Sequence, residues 1–267
     1  MNPTPARPTC RPSANASDAC GPDRRPDRRE RPMKQHPWII AHRGDVERHT
    51  ENTLPAFRSA LERGADGIEL DVQFTAEGTP VVFHDRDLRR ITGQRGNLAD
   101  LEDKALDTLG LRPGPDQAGF HLPTLREACE CLAHARVPLF VEIKTDALPH
   151  HQVPTAVADV LRDSEAIASH RVLISFSEAA LRIARSHARV PVGWVLEAWD
   201  IASRERAEAL QPDWLFCDTA LLPPGTAPLW AGPWDWAIYE INETGPAGAL
   251  ARRGVKAIET GRLSVWR

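Results

Sequence analysis

Long apolar runs are what this 267-residue chain most plainly lacks. No segment approaches the ~18 consecutive apolar residues of a membrane-spanning helix, which excludes an integral membrane segment. A basic excess is also missing. The 33 Lys and Arg stand against 37 Asp and Glu, a formal net charge of −4, whereas a nucleic-acid binder ordinarily shows a basic surplus. With 42% hydrophobic residues the chain still has enough to bury a sizeable core. These absences predict a soluble globular protein that is neither a membrane protein nor a nucleic-acid binder; they say nothing of oligomeric state.

A second absence is local. From Asn2 to Pro32 there is no Val, Ile, Leu, Met, Phe, Trp or Tyr, while the same stretch holds seven Pro and seven Arg. Such a composition cannot bury a core, and it lacks the apolar h-region of an export signal. Residues 1–32 are therefore expected to form a disordered tail, an extension upstream of a folded part that starts at Met33 and runs through 33–267. Without the tail the charge is −7, from 26 basic and 33 acidic residues. Two of the five cysteines (Cys10, Cys20) lie in the tail and three (Cys129, Cys131, Cys217) in the body. With no export signal, reduced thiols and a cytoplasmic location are the expectation. Cys129-Glu-Cys131 followed by His134 superficially suggests a metal site, but the segment reads as helix, where positions i and i+2 diverge.

The body alternates short β-branched runs with helical patterns. Strands are predicted at 38–42, 67–72, 138–143, 172–176, 191–196, 213–217, 236–241 and 255–259. Amphipathic stretches at Thr53–Arg63, Leu125–Ala135, Pro154–Arg162, Glu178–His187, Ala202–Leu210 and Pro246–Arg253 lie between most of them. Gly64 and Gly254 stand where helix C-caps belong. Alternation of this kind implies a parallel sheet with right-handed crossovers. Eight strands in a body of this length fit a (β/α)8 barrel, typically about 250 residues. The competing doubly wound sheet usually carries a glycine-rich phosphate loop after its first strand, and His42-Arg43-Gly44 is not one.

A ninth run, 80–84, follows Val72 too closely for a parallel crossover, which takes a dozen residues or more. Ala76-Glu77-Gly78 suggests a hairpin instead, and Pro80 suits an edge strand. With Glu77-Gly78 as turn residues, Asp71 would face His84. Residues 85–123 then form a small insertion over the barrel mouth.

Charges occur where a barrel should be apolar. Glu69 and Asp71 share one face of their strand, as do Glu142 and Lys144 of theirs. Buried carboxylates cost several kcal/mol each unless paired or metal-bound. Their position at the C-terminal ends of strands, where (β/α)8 enzymes keep their active sites, resolves the conflict. His42 and Arg43 end the first strand; His84 and Asp85 end the hairpin. Glu69, Asp71 and Glu142 form an oxygen-rich cluster suited to Mg²⁺ or Ca²⁺. Arg43 and Lys144 supply donors for an oxyanion, and two histidines can flank it as general acid and base. Three carboxylates, one divalent cation and two basic residues sum to +1, which matches a phosphodiester. Singly, a strand-end histidine is commonly a structural hydrogen-bonder and Glu142–Lys144 an ordinary ion pair; their convergence points to metal-assisted phosphodiester cleavage.

The ordered motifs His42-Arg43-Gly44, Glu51-Asn52-Thr53, Glu69-Leu-Asp71-Val, Val-Val-Phe-His84-Asp85, Leu122-Pro-Thr-Leu, Glu142-Ile-Lys144 and Ile174-Ser175-Phe176 resemble the glycerophosphodiester phosphodiesterase family in its bacterial, cytosolic form. The resemblance covers roughly 38–262. It implies a (β/α)8 TIM barrel of the phospholipase-C-like phosphodiesterase type, with a small insertion after the second strand. It further implies metal-dependent hydrolysis of glycerophosphodiesters to glycerol 3-phosphate and an alcohol, as part of lipid and glycerol metabolism. By that resemblance His42 and His84 are the acid/base pair, and Glu69, Asp71 and Glu142 ligate the metal. Arg43 and Lys144 hold the phosphate, while Glu51 and Asn52 take a supporting or substrate-orienting role.

Three departures stand out. Thr50 replaces the proline usual before Glu-Asn-Thr. Tyr239-Glu240-Ile241-Asn242 stands for the family's Trp-Thr-Val-Asn, and Glu259-Thr260 for its Thr-Asp. The last two are placed near the substrate pocket, away from the metal ligands and histidines. Alternatives are a lysophospholipase D type activity, for which the Trp-rich 230–236 stretch would receive an apolar tail although packing fits it better, and a non-catalytic phosphodiester-binding barrel. A glycosidase on the same fold, needing no metal and no paired histidines, is a further alternative.

Overall fold

The computed structural model describes residues 36–112 and 121–266; the tail expected over 1–32 lies outside them. Nine strands form one sheet: β1 (Trp38–His42), β2 (Gly67–Phe74), β3 (Pro80–Val82), β4 (Leu139–Ile143), β5 (Arg171–Ser175), β6 (Val192–Val195), β7 (Trp214–Asp218), β8 (Asp235–Tyr239) and β9 (Val255–Thr260). Eight of them run parallel in the order β1-β9-β8-β7-β6-β5-β4-β2, and a β1–β2 pairing closes the barrel. Each predicted parallel strand is present, with ends shifted by a residue or two.

The outer layer holds α1 (Leu54–Glu62), α3 (Leu125–Leu132), α4 (Val153–Asp163), α5 (Glu178–His187), α6 (Ile201–Leu210) and α7 (Ala247–Arg252), while the short α2 (Arg89–Thr92) lies between β3 and α3. Side-chain caps start four of these outer helices, while α4 and α7 have none. Thr53, Ser177 and Asp200 each accept from a first-turn amide, and Thr124 with Glu127 completes a capping box. Cys129 and Cys131 do diverge on α3. Burial pushes the Cys129 thiol up to about 12, and among the described residues no metal-competent cluster includes a cysteine.

Alternation along each strand divides the apolar residues into two cores. Outward residues such as Ile39, Leu70, Val141, Leu173 and Ile258 pack against Phe57, Leu125, Val157 and Leu181 of the helices. Inward residues Ile40, Phe140, Ile174, Phe216, Ala237 and Ala257 fill the barrel. One inward position of β6 is Gly193, where a Cβ would stand 2.8 Å from Ile174 Cγ2 and 3.0 Å from Phe216.

No helix connects β7 to β8; a single 3₁₀ turn (Thr219–Leu221) is followed by irregular chain. Here the Trp-rich stretch packs: Trp230 stacks on Trp199 at 4.2 Å between ring centroids, and Trp230 O accepts from the indole N–H groups of Trp234 and Trp236. Trp234 and Trp236 are buried, so these rings serve the core.

The hairpin register differs by one residue from the expected one. Val72 pairs with Val82 and Phe74 with Pro80, so Phe83 N donates to Asp71 O at 3.1 Å and His84 falls one residue beyond. The turn is three residues long, closed by Thr75 N to Thr79 O, with Gly78 at φ 87°. That left-handed third position is where glycine is favoured in a three-residue hairpin loop. Past the hairpin, Val81, Phe83, Leu88, Leu98, Leu106, Leu109, Leu111 and Leu122 form a small core of their own. Among the described residues no helix is long and apolar enough to cross a membrane.

Candidate active site

The C-terminal ends of the strands carry charge that the barrel interior below them does not. On β2 the inward alternation runs Glu69, Asp71, Gln73, and all three are buried. β4 places Glu142 beside Asp71 in parallel register. One ligand oxygen from each of Glu69, Asp71 and Glu142 lies within 4.8 Å of the others.

Two cations close on this cluster. Lys144 Nζ stands 3.0 Å from Asp71 Oδ1 and 2.7 Å from Glu142 Oε1. Arg43 Nε stands 3.1 Å from Asp71 Oδ2, and the same guanidinium donates to Glu51 Oε1 at 3.1 Å. Asn52 is buried; its amide donates to Asp71 Oδ2 at 2.8 Å and accepts from Asp71 N at 3.3 Å. Arg43 and Asn52 both adopt left-handed backbone, φ 58°, as does Glu240 at φ 63°. Such conformations cost energy in non-glycine residues, and least in Asn. They cluster at functional sites where surrounding bonds enforce them. Here the Arg43 N–H donates to Glu69 O and to Glu69 Oε2.

His42 and His84 are both present at this end. His84 Nδ1 bonds Asp85 Oδ1 at 2.8 Å, and Gln73 Nε2 donates to the carbonyls of His84 and Asp85. His42 Nε2 lies 3.9 Å from Glu69 Oε2 and 3.4 Å from Glu259 Oε1. The latter contact corrects the placement of the C-terminal departures: Glu259 is beside a candidate catalytic histidine. Its β9 register, opposite Ile40, turns the side chain into the barrel.

Burial governs the proton affinities. Glu69 lies well above the ordinary carboxylate range through burial and the charges of Asp71, Glu259 and Glu142. Glu142 is raised by burial and by Asp71, against the opposing pull of Lys144. Burial, Glu142 and Asp71 push Glu259 up to about 8. Asp71 goes the other way: burial would raise it, but Lys144 and Arg43 hold it well below its ordinary value. His42 is lowered to about 4 by burial and by Arg43.

Glu69 Oε1 is buried and has no hydrogen-bond partner. An orphaned carboxylate oxygen among other carboxylates is costly, and its donor set suits a hard divalent cation. Three residues of this site were missed in the sequence. Gln73 was available as the next step of the Glu69–Asp71 alternation. Glu259 met the criterion applied to Glu69 and Glu142, a carboxylate near the end of a barrel strand. Arg90, which donates to Glu51 and Asp85, carries no sequence signal; its partners are set by how the segment after β3 folds.

The glycerophosphoryl diester phosphodiesterase family model matches residues 42–226. That span contains the nine site residues expected from the sequence and stops short of Tyr239 and Glu259. A glycerophosphodiester phosphodiesterase of Caldanaerobacter subterraneus subsp. tengcongensis is 35% identical over 184 residues, 65% of this chain and 74% of that protein. Human glycerophosphodiester phosphodiesterase 1 is 37% identical over 142 residues, 51% of this chain and 42% of its own length. Among solved structures, an Oleispira antarctica phosphodiesterase in complex with the product sn-glycerol-3-phosphate superposes with a TM-score of 0.72 at 24% identity, covering 86% of this chain and 96% of that one. Family model, closed barrel and strand-end charges agree: the chain belongs to the glycerophosphoryl diester phosphodiesterase family of hydrolases.

Proposed function

We propose that this chain hydrolyses glycerophosphodiesters to glycerol 3-phosphate and an alcohol, using a divalent cation and two histidines. The observation that carries this reading is the convergence of Glu69, Asp71 and Glu142, with Arg43 and Lys144 alongside and Glu69 Oε1 left without a hydrogen-bond partner. The product bound to the Oleispira relative supports the substrate class.

Glu69, Asp71 and Glu142 would hold the cation, Mg²⁺ or Ca²⁺, which supplies Lewis-acid polarisation of a phosphoryl oxygen. Arg43 and Lys144 hold the phosphodiester and stabilise the charge that builds on it. Asn52 keeps Asp71 oriented, and Glu51 does the same for Arg43. One histidine removes the proton from the attacking oxygen, and the other protonates the departing alkoxide. The lysophospholipid alternative loses its motive, because the Trp-rich stretch is packed into the core.

The direct test is release of glycerol 3-phosphate from glycerophosphocholine by the purified chain, with Mg²⁺, with Ca²⁺ and with EDTA. Metal-dependent release is expected. No release with either metal would overturn the reading.

A further inference from the structure

We propose that Arg90, on α2 outside the barrel, is a positioning residue that aligns the phosphate-holding Arg43 and the acid/base His84 through two intervening carboxylates. Its guanidinium donates to Glu51 through NH1 and NH2, each at 2.7 Å, and to Asp85 through Nε at 2.6 Å and NH2 at 2.9 Å. Glu51 in turn accepts from Arg43 NH1, and Asp85 Oδ1 bonds His84 Nδ1. A continuous chain Arg43–Glu51–Arg90–Asp85–His84 thus joins the loop after β1 to the end of the hairpin.

Each link has a physical consequence. Asp85 neighbours His84 in sequence, and an unrestrained aspartate there would sample several rotamers. The side-on fork of Arg90 fixes both of its oxygens, a geometry that arginine provides and lysine does not. A fixed Asp85 keeps the proton on His84 Nδ1 and leaves Nε2 as the nitrogen that exchanges protons with a ligand. On the other arm, Glu51 is shared between two guanidinium groups. Without Arg90 its whole charge would fall on Arg43 and compete with the phosphate for that group.

Stability does not explain this arrangement. The Arg90 side chain is 47% exposed, and ion pairs so close to solvent contribute little to folding. Four bonds from one side chain to two carboxylates that each hold a site residue make sense as alignment. A displacement of about 1 Å in such a group can cost 100-fold in rate.

This inference rests on the roles given above to Arg43 and His84, and the experiment separates the two. In Arg90→Gln, kcat/KM for glycerophosphocholine should fall by about 10–100-fold, with the melting temperature nearly unchanged. Arg90→Lys should recover KM, because positive charge returns beside Glu51. It should leave kcat low, because one ammonium cannot span both carboxylates. The double variant Glu51→Gln/Arg90→Gln should lose less than the product of the two single losses. Histidine ¹⁵N spectra, which need no turnover, should show His84 as a single Nδ1–H tautomer in the parent and a mixture in Arg90→Gln. An unchanged His84 tautomer, or wild-type kcat and KM in Arg90→Gln, would overturn the proposal. A parent protein without turnover whose His84 tautomer still depends on Arg90 would instead sink the phosphodiesterase reading and leave the alignment standing.

Discussion

Replacing Glu259 by Gln isolates the load that the barrel mouth places on folding. This carboxyl is buried, and its pKa rises from 4.5 to about 8. Between those values the folded chain keeps the proton that the unfolded chain has released. Stability therefore declines as pH rises from the lower value to the upper one, and levels off beyond it. At about 1.4 kcal/mol per tenfold difference in proton affinity, this group costs almost nothing at pH 4 and about 4 kcal/mol at pH 8. Glutamine preserves shape and hydrogen bonding but carries no proton to lose. Urea denaturation in EDTA should thus find parent and Glu259→Gln similar near pH 4, with the variant pulling ahead by several kcal/mol at pH 8. Relief of the raised Glu69 adds to the same trend, since Glu259 is one of the charges acting on it. A saturating divalent cation should narrow the gap by favouring the ionised carboxylates. Parallel stability curves for the two proteins across this range in EDTA would refute the reasoning.

Other outcomes follow from the same geometry. His42→Ala and His84→Ala should each lower turnover by about 10²–10⁴-fold with circular dichroism unchanged; near-normal rates in either would remove that residue from the mechanism. Asp71→Asn should abolish detectable Mg²⁺ or Ca²⁺ binding by calorimetry and leave Lys144 and Arg43 without their shared partner; retained binding would contradict the assigned metal site. Asn52→Ala should destabilise more than Asn52→Gly by about 1 kcal/mol, because only glycine relieves the left-handed backbone, while both lose the bonds to Asp71; chemical denaturation reads the difference. Gly193→Ala should cost about 1–3 kcal/mol by overpacking the barrel against Ile174 and Phe216, and an unchanged urea midpoint would show that the interior has slack.

Local chemistry made much of this protein legible in one dimension. Strand and helix positions follow from apolar periodicity, and the ends of α1 and α7 from Gly64 and Gly254, whose left-handed backbone acts within a few residues. The same period-2 logic put Glu69 and Asp71 on one face and Glu142 with Lys144 on another, and the ordered motifs named the family. The barrel was also implied, because eight strands fit a (β/α)8 barrel and the first strand is not followed by the glycine-rich loop usual in a doubly wound sheet.

What tertiary structure alone decided are the contacts between segments that are distant in sequence. The hairpin register turned on a three-residue turn rather than a two-residue one, a choice that moved Phe83 onto Asp71 and His84 beyond it. Glu259 is expected from the sequence near the substrate pocket but away from the histidines, yet barrel closure places the last strand against the first and its carboxylate beside His42. Asn52 reads in sequence as part of the Glu51-Asn52-Thr53 motif, but its left-handed backbone and its grip on Asp71 exist only once β2 is alongside. Arg90 belongs to a segment with its own small core, and nothing near it in sequence announces that its guanidinium joins Glu51 to Asp85. Periodicity and capping are short-range and survive in the sequence; the pairing of charges across a closed barrel depends on where the chain returns, which only the folded structure decides.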